Sequence, residues 1–335
     1  CFWASFQVLI VHSCGVINQS EYVRKDVSNW LNDGNDEMKG FSWRHGPERE
    51  TTGILMWSEV FLHESKNEKY AIILMDTQGV FDSQSTAKDC AFIFALSTLI
   101  SSVQIYNISQ QIQENDLQHL QLFTEYGRMV LNKFQNKPFG RLQFLVRDWQ
   151  WPVTYPYGVD GGNKLLSTFL GTASNQAEDL KSVREHIKSC FSEVECFLMP
   201  HPGFEVTSNP YFKGELESIN GIYQVLVPLL SAPENLKVKQ INGNEIRAQD
   251  LITYFKCYMK DLNGDNIPEP KTIMDATAEA NHISAISQAK DFYLMAMKKV
   301  CDNKEYFSEK ELNKEHSNIQ KKCIEMLEII RVVTD

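Results

Sequence analysis

A carboxylate and a glycine follow directly after a segment that is apolar at every position. The tetrapeptide Asp76-Thr77-Gln78-Gly79 comes immediately after Tyr70–Met75, which has the pattern of a strand covered on both faces. A carboxylate at the carboxyl end of a strand can hold Mg²⁺ through water, and a glycine three residues later lets its N–H approach a γ-phosphate. Taken alone, the tetrapeptide is equally well interpreted as an ordinary turn.

A second candidate is the polar segment Arg49–Gly53, about 25 residues before Asp76. Its Thr51 carries a hydroxyl that, in a mobile loop, could complete the coordination of Mg²⁺ and respond to the γ-phosphate. The alternative interpretation is a polar loop that precedes a strand.

The third candidate is Arg147-Asp148, which follows the apolar run Leu142–Val146. An aspartate here can accept hydrogen bonds from both N1–H and the 2-amino group of guanine. Adenine has no matching pair of donors, so it would leave the carboxylate unpaired and be rejected. A surface ion pair or a turn is the alternative for this dipeptide in isolation. Together, the three candidates occur in the order that a P-loop GTPase requires.

The elements around these residues alternate between strand and helix. Such alternation predicts an α/β fold with a P-loop GTPase-like, mostly parallel sheet and helices on both faces, over residues 1–260. The predicted strands are Phe6–Val11, a β-rich segment over Gly53–Leu62, Tyr70–Met75, Leu142–Val146 and Cys196–Met199; the predicted helices are Thr86–Val103, Asp116–Asn132 and Ala177–Cys190.

The pattern changes after Tyr258, where residues 261–271 form a proline-containing linker. Residues 272–335 carry two long amphipathic helical patterns, and Ser308 with Glu311 forms a capping box at the start of the second. Two helices with narrow apolar stripes need a third partner. We therefore expect a partial three-helix bundle, either truncated or completed by the first domain or by another chain.

Composition excludes some functions. Lys and Arg number 33 against 43 Asp and Glu, which gives a formal net charge of −10. Non-specific affinity for a phosphate backbone needs surplus cations, so we expect no nucleic-acid partner. Beyond the mixed opening run Cys1–Ile17, no segment reaches about 18 uninterrupted apolar residues, so we expect no membrane anchor within these residues and a soluble chain.

Several segments together resemble the atlastins, dynamin-superfamily GTPases related to the guanylate-binding proteins. The resemblance runs from about Asn18 to about Gln320, and its Arg-Asp guanine motif is highly specific to this group. The segments are Gly40–Gly53, Met75–Gly79, Val146–Asp148 and His201–Gly203.

The resemblance implies a GTPase domain joined by a short linker to a three-helix bundle, followed by membrane segments. It also implies hydrolysis of GTP to GDP and phosphate with Mg²⁺, and homodimerisation through the GTPase domain and the bundle. The location would be the cytosolic face of the endoplasmic-reticulum membrane, and the role would be membrane tethering and homotypic fusion.

The resemblance also assigns roles by position. Thr51 would be the switch-one threonine and a metal ligand, and Arg44 a nucleotide-side arginine. Asp76, Gln78 and Gly79 would form switch two, with Asp76 on the metal. Thr51, Gln78 and Gly79 would serve catalysis. The remaining nucleotide contacts would be Arg147 and Asp148 on guanine, with Val206 and Asn209 in the loop that caps the base.

The chain departs from this family in one respect. The phosphate-binding loop Gly-x-x-x-x-Gly-Lys-Ser is absent, since no glycine in the sequence is followed by lysine, and Ser5–Cys14 stands in the expected place. The arginine finger inside that loop, worth roughly 10³–10⁵ in rate, is absent with it. Two explanations stay open: an incomplete or mispredicted N-terminus, or a natural pseudo-GTPase that acts as a dimerisation and interaction module.

Overall fold

The computed structural model covers two compact units, residues Cys1–Ala248 and Gln249–Asp335. The structure describes residues 5–12, 41–42, 50–65, 68–79, 87–121, 124, 137, 139–171, 177–212, 235, 237–241, 243–262, 270–302 and 306–334.

A seven-stranded sheet forms the centre of the first unit. Its strands are β1 (Ser5–His12), β2 (Ile54–Met56), β3 (Phe61–Ser65), β4 (Glu68–Thr77), β5 (Val103–Ser109), β6 (Phe139–Arg147) and β7 (Phe191–Leu198). Their order is β2-β4-β1-β5-β6-β7, with β3 also on β4. A small hairpin, β8 (Gln240–Ile241) and β9 (Asn244–Glu245), stands apart from the sheet.

The α/β class is confirmed, and the sheet of the described residues is mixed. β5, β6 and β7 are parallel, whereas β1 is antiparallel to both β4 and β5. Strands β4 to β7 therefore all run in one direction, and β1, β2 and β3 run against them. The parallel share is smaller than the sequence predicts because an apolar strand such as β1 carries no signal of its direction.

Helices of the first unit are α1 (Ala87–Ile100), α2 (Val159–Phe169), α3 (Glu178–Cys190) and the short α4 (Phe204–Ser208), and residues 114–121 are also helical. The predicted helices at Thr86–Val103 and Ala177–Cys190 are confirmed as α1 and α3. The predicted Asp116–Asn132 helix is described as far as residue 121, and most of its remainder lies outside the described residues. Neither β5 nor α2 was predicted.

Alternate residues of β5, β6 and β7 point into two apolar cores. Tyr106 and Phe144 belong to the larger core, where Phe94 of α1 and Ile187 of α3 pack on them. Ile105, Leu145 and Phe197 belong to the core on the opposite face. Because both faces of these strands are buried, the central sheet holds its carboxyl edge rigidly, and that edge carries the candidate residues.

The second unit contains α5 (Ala248–Leu262), α6 (Pro270–Asp302) and α7 (Glu309–Thr334). The compact units divide after the first residue of α5, and the domain bounds predicted from the sequence stay a prediction. Within the second unit α5 packs on α6: the Tyr254 hydroxyl donates to Asn281, and Thr277 Oγ1 donates to the Tyr258 hydroxyl at 3.1 Å. Among the described residues, no helix is long and apolar enough to cross a membrane.

The predicted capping box at the start of α7 is confirmed. The Ser308 backbone N–H donates to the Glu311 carboxylate at 3.1 Å, and the Glu311 N–H lies 3.4 Å from Ser308 Oγ. These contacts satisfy donors that the first turn of a helix leaves open.

Candidate nucleotide-binding site

Asp76 and Asp148 lie at the same edge of the sheet. Strands β4 and β6 run in the same direction, and each ends beside one of these residues. Strands β1 and β5 lie between β4 and β6, so the two carboxylates are separated laterally by three strand spacings, about 14 Å. Carboxyl ends of strands are where ligands bind in open α/β sheets.

The structure brings Thr51 and Asp76 into direct contact. Residues 54–56 form β2, which pairs with the end of β4 so that Leu55 lies opposite Asp76. The segment just before β2 is thereby held against the end of β4, and the Thr51 hydroxyl donates to Asp76 Oδ2. Both side chains are buried.

Gln78 connects the same two segments through both its backbone and its side chain. Its N–H donates to the Gly53 carbonyl at 3.0 Å, and its Oε1 accepts from the Gly53 N–H at 2.8 Å. Gly53 has φ +73°, a left-handed conformation that favours glycine. Gln78 is buried in this state, so its amide group would have to leave Gly53 before it could orient a water molecule.

Burial raises the pKa of the Asp76 carboxyl above its usual range, and hydrogen bonds from the Thr51 hydroxyl and the Thr77 backbone oppose that effect. Burial disfavours a charged carboxylate unless a cation compensates it. The site therefore has the electrostatic character of a place that would accept a divalent cation.

Thr51 and Asp76 supply a hydroxyl and a carboxylate oxygen, the hard ligands that Mg²⁺ prefers. The described residues contain no group of three or more His, Cys, Asp or Glu side chains able to hold a metal. The two residues fit Mg²⁺ as partial ligands, with nucleotide phosphates and water completing the coordination. When bound with a nucleotide, the ion would neutralise phosphate charge.

At the other end of the edge, Asp148 is held through one of its two carboxylate oxygens. Ser109 Oγ donates to Asp148 Oδ2 at 3.3 Å, and Arg147 Nη1 lies 3.4 Å from the same oxygen. Arg147 is buried and its Nε donates to Asn107 Oδ1 at 2.6 Å. Oδ1 of Asp148 accepts no hydrogen bond from the described residues, and the side chain is 22% exposed.

The backbone around Asp148 turns sharply. Asp148 has φ +58° and Gln110, at the end of the neighbouring strand, has φ +66°. The Gln110 N–H donates to the Arg147 carbonyl at 2.7 Å, and the Trp149 N–H donates to the Met199 carbonyl at 3.0 Å. Aspartate tolerates this left-handed conformation better than most residues, because its short side chain can hydrogen-bond locally. The turn lifts the carboxylate out of the strand at the end of β6.

The segment after β7 leaves the sheet beside Asp148. Val206 in α4 is buried, so its side chain faces the protein interior. Both polar groups of the Asn209 side chain are engaged locally: Nδ2 donates to Glu205 Oε1 at 2.9 Å, and Oδ1 accepts from the Tyr211 N–H at 2.9 Å. The predicted base-capping segment thus follows β7, and the side chain of Asn209 is hydrogen-bonded within that segment.

Arg44 lies outside the described residues, and Gly79 is the last described residue of its segment. The sequence analysis does not name Asn107 and Ser109, whose side chains hydrogen-bond with Arg147 and Asp148 respectively. These two lie on β5, a strand that the sequence analysis did not predict. Their spacing of two residues places them on one face of that strand, which is the signal that could have found them.

Comparison with known proteins identifies the family. The description "Guanylate-binding protein, N-terminal domain" matches residues 10–239. This range contains both ends of the edge and most of the first unit. The chain belongs to the guanylate-binding protein family.

Several curated relatives of the chain are atlastins. Atlastin of Drosophila melanogaster is 54% identical over 311 residues, which make up 91% of this chain and 58% of the relative. Atlastin-2 of Xenopus laevis is 50% identical, covering 92% of this chain and 56% of the relative. Atlastin-2 of Homo sapiens is 48% identical, covering 92% and 54%. The suspected resemblance to atlastins is confirmed, and the chain spans little more than half the length of these relatives.

Proposed function

We propose that this chain recognises guanine nucleotides through Asp148. One observation carries the proposal: one oxygen of the carboxylate is held by Ser109 and Arg147, while the other accepts no hydrogen bond from the described residues. Guanine offers N1–H and a 2-amino group side by side, which a carboxylate accepts as a pair, and adenine does not. Arg147 would support this contact as a fixed positive charge behind the carboxylate.

The proposal extends to the metal and to the reaction. Thr51 and Asp76 would hold Mg²⁺ together with the phosphates of GTP or GDP, and Arg44 would lie on the nucleotide side. Thr51, Gln78 and Gly79 would serve hydrolysis of GTP to GDP and phosphate. Support comes from the contact between Thr51 and Asp76 and from the loop pairing of Gln78 with Gly53.

Hydrolysis by this chain itself would be slow. The sequence has no Gly-x-x-x-x-Gly-Lys-Ser loop. In addition, β1 is antiparallel to β4, with Ser5 opposite Thr77 and His12 opposite Tyr70. β1 therefore ends, at His12, on the side of the sheet opposite Asp76.

The wider role that we propose is that of the atlastin-like proteins. It comprises tethering and homotypic fusion of endoplasmic-reticulum membranes from their cytosolic face, by a homodimer formed through the GTPase domain and the helical bundle. Residues 1–260 would form the GTPase domain, 261–271 a linker and 272–335 part of the bundle. The similarity to atlastins over about nine-tenths of the chain supports this proposal.

The test is a competition experiment with a fluorescent GDP analogue bound to the chain in the presence of Mg²⁺. We expect GDP to compete and ATP to fail, because Asp148 reads the base. We also expect guanosine to compete within about tenfold of GDP, because the sequence has no Gly-x-x-x-x-Gly-Lys-Ser loop to bind the phosphates. A tenfold difference corresponds to about 1.4 kcal/mol.

The two expectations fail in different ways. If ATP competes as well as GDP, recognition of guanine by Asp148 is wrong. If GDP binds a thousandfold more tightly than guanosine, the protein must have a phosphate-binding site. The proposal of slow hydrolysis is then wrong, and recognition of guanine by Asp148 is unaffected.

A further inference from the structure

We infer that Ser109 and Asn107 of β5 are positioning residues for base recognition, Ser109 acting on Asp148 directly and Asn107 acting through Arg147. The inference rests on the proposed function and goes beyond it. It proposes that residues of β5, which would not contact the base, determine the selectivity for guanine over hypoxanthine. The argument depends on the register of β5 and β6 and on where each hydrogen bond ends.

The register brings the two strands' polar residues together. β5 and β6 are parallel, with Asn107 opposite Leu145 and Ser109 opposite Arg147. Asn107 and Ser109 are two residues apart, so they project from the same face of β5, and Arg147 projects from the corresponding face of β6. The Gln110 N–H donates to the Arg147 carbonyl at 2.7 Å, which fixes the two strand ends against each other.

The side chains of Ser109 and Arg147 both reach a single oxygen of the Asp148 carboxylate, and Asn107 holds Arg147. Ser109 Oγ donates to Asp148 Oδ2 at 3.3 Å. Asn107 Oδ1 accepts from Arg147 Nε at 2.6 Å, and this contact turns the guanidinium so that its Nη1 reaches the same Oδ2 at 3.4 Å. Arg147 is buried, so its guanidinium has little freedom to turn elsewhere.

This arrangement fixes the plane of the Asp148 carboxylate. A carboxylate on a turn can rotate freely about its last bond, and binding would then have to freeze that rotation. Two donors on Oδ2 hold the plane before the base arrives, while Oδ1 stays open and Oδ2 retains acceptor capacity. Guanine needs both oxygens in its own plane, since it donates two parallel hydrogen bonds. Hypoxanthine lacks the 2-amino group and needs one oxygen.

A positioning role therefore predicts a selectivity effect. Ser109→Ala should weaken GDP binding about 3- to 10-fold, the range expected when one side chain must be immobilised on binding. It should weaken IDP binding much less, because a single hydrogen bond tolerates a rotated carboxylate. Ser109→Thr keeps the hydroxyl and should restore the GDP-to-IDP ratio. Asn107→Ala should act in the same direction as Ser109→Ala, through Arg147.

The experiment is a set of displacement titrations with GDP, IDP and ATP against a fluorescent GDP analogue, on the whole chain. Ser167→Ala is the matched control: Ser167 is an exposed serine on α2 whose hydroxyl donates to the Lys164 carbonyl of its own helix at 2.7 Å. Its GDP-to-IDP ratio should equal that of the unaltered chain. Thermal unfolding of each variant checks that it is folded.

The outcomes separate this inference from the function on which it rests. If the unaltered chain prefers GDP to ATP and Ser109→Ala leaves the GDP-to-IDP ratio unchanged, the positioning role is wrong and the proposed function stands. A loss of GDP and IDP binding by the same factor would also overturn it, since that is the effect of a merely disturbed loop. If the unaltered chain shows no preference for GDP over ATP, the proposed function and this inference fall together.

Discussion

Lys239 carries a buried amine, and its removal is expected to stabilise the protein. The side chain is 1% exposed, and its Nζ has no hydrogen-bond partner among the described residues. The segment that carries it is held in place, because its carbonyl accepts from the Ile246 N–H at 2.9 Å. Burial lowers the pKa of Lys239 from 10.5 to about 7. Desolvation disfavours the charged form of an amine, and no carboxylate of the described residues lowers that cost.

The pKa difference sets both the size and the pH dependence of the effect. The unfolded chain holds the lysine proton up to about pH 10.5, whereas the folded chain releases it near pH 7. Between these values the unfolded state binds more protons, so stability rises with pH across that window. At pH 7 and below, burying this lysine costs the folded state about 4–5 kcal/mol.

Lys239→Met removes that cost and retains an unbranched chain that can fill the same space. We expect the free energy of unfolding to rise by about 2–5 kcal/mol at pH 7, the lower figure allowing for imperfect packing of the new side chain. For a unit of this size, each kcal/mol corresponds to about 2–4 °C in Tm. The gain should shrink as the pH approaches 10.

Thermal and urea unfolding at several pH values between about 6 and 10 measure this difference. Lys237→Met is the control: Lys237 is exposed and pairs with Glu193 at the surface, so its loss should change stability by less than about 1 kcal/mol. The difference between each variant and the unaltered chain cancels other groups that titrate at alkaline pH. A Lys239→Met protein that is no more stable at pH 7, or whose gain does not fall with pH, refutes the reasoning.

Three further predictions concern packing, specificity and capping. Gly162→Ala should lower stability by about 1–3 kcal/mol, since a Cβ would lie 2.1 Å from the Cys196 carbonyl oxygen; an unchanged Tm contradicts this. Asp148→Asn should weaken GDP binding about 100-fold or more and allow XDP to bind, because the asparagine amide donates to the 2-carbonyl of xanthine. Displacement titration measures both affinities, and an unaltered affinity for GDP argues against recognition by Asp148. Ser308→Ala should cost α7 about 1 kcal/mol of helix stability, seen as faster hydrogen exchange in its first turn, whereas Ser317→Ala should not.

The strands that the sequence predicted well are those whose apolar runs are unbroken. Tyr70–Met75 and Leu142–Val146 are both central strands of the sheet. β5 was missed because Gln104 and Asn107 interrupt its apolar residues, and the preceding helix was extended to Val103. Gln104 is fully buried and lies against the end of α1, so its polarity gives a false signal of exposure.

Other features have no local sequence signal. The direction of β1 depends on its pairing with β4 and β5, which is tertiary. The left-handed backbone conformation of Asp148 depends on hydrogen bonds between neighbouring strand ends, and the local sequence does not predict it. The burial of Lys239 runs against the usual exposure of lysine.

The two parts of the proposed site, around Asp148 and around Asp76, lie on different strands of the sheet. We therefore expect that mutations can abolish one part without the other. Asp148 follows β6, which lies between two parallel neighbours and is buried on both faces. Asp76 lies one residue before the end of β4, whose neighbour β1 runs in the opposite direction. In the function proposed above, base recognition would need the contacts of Asp148, and phosphate transfer would need those of Asp76. A measurement of GTP turnover tests both sets of contacts at once. The preference for guanine over adenine tests only the contacts of Asp148, which the described residues define in more detail.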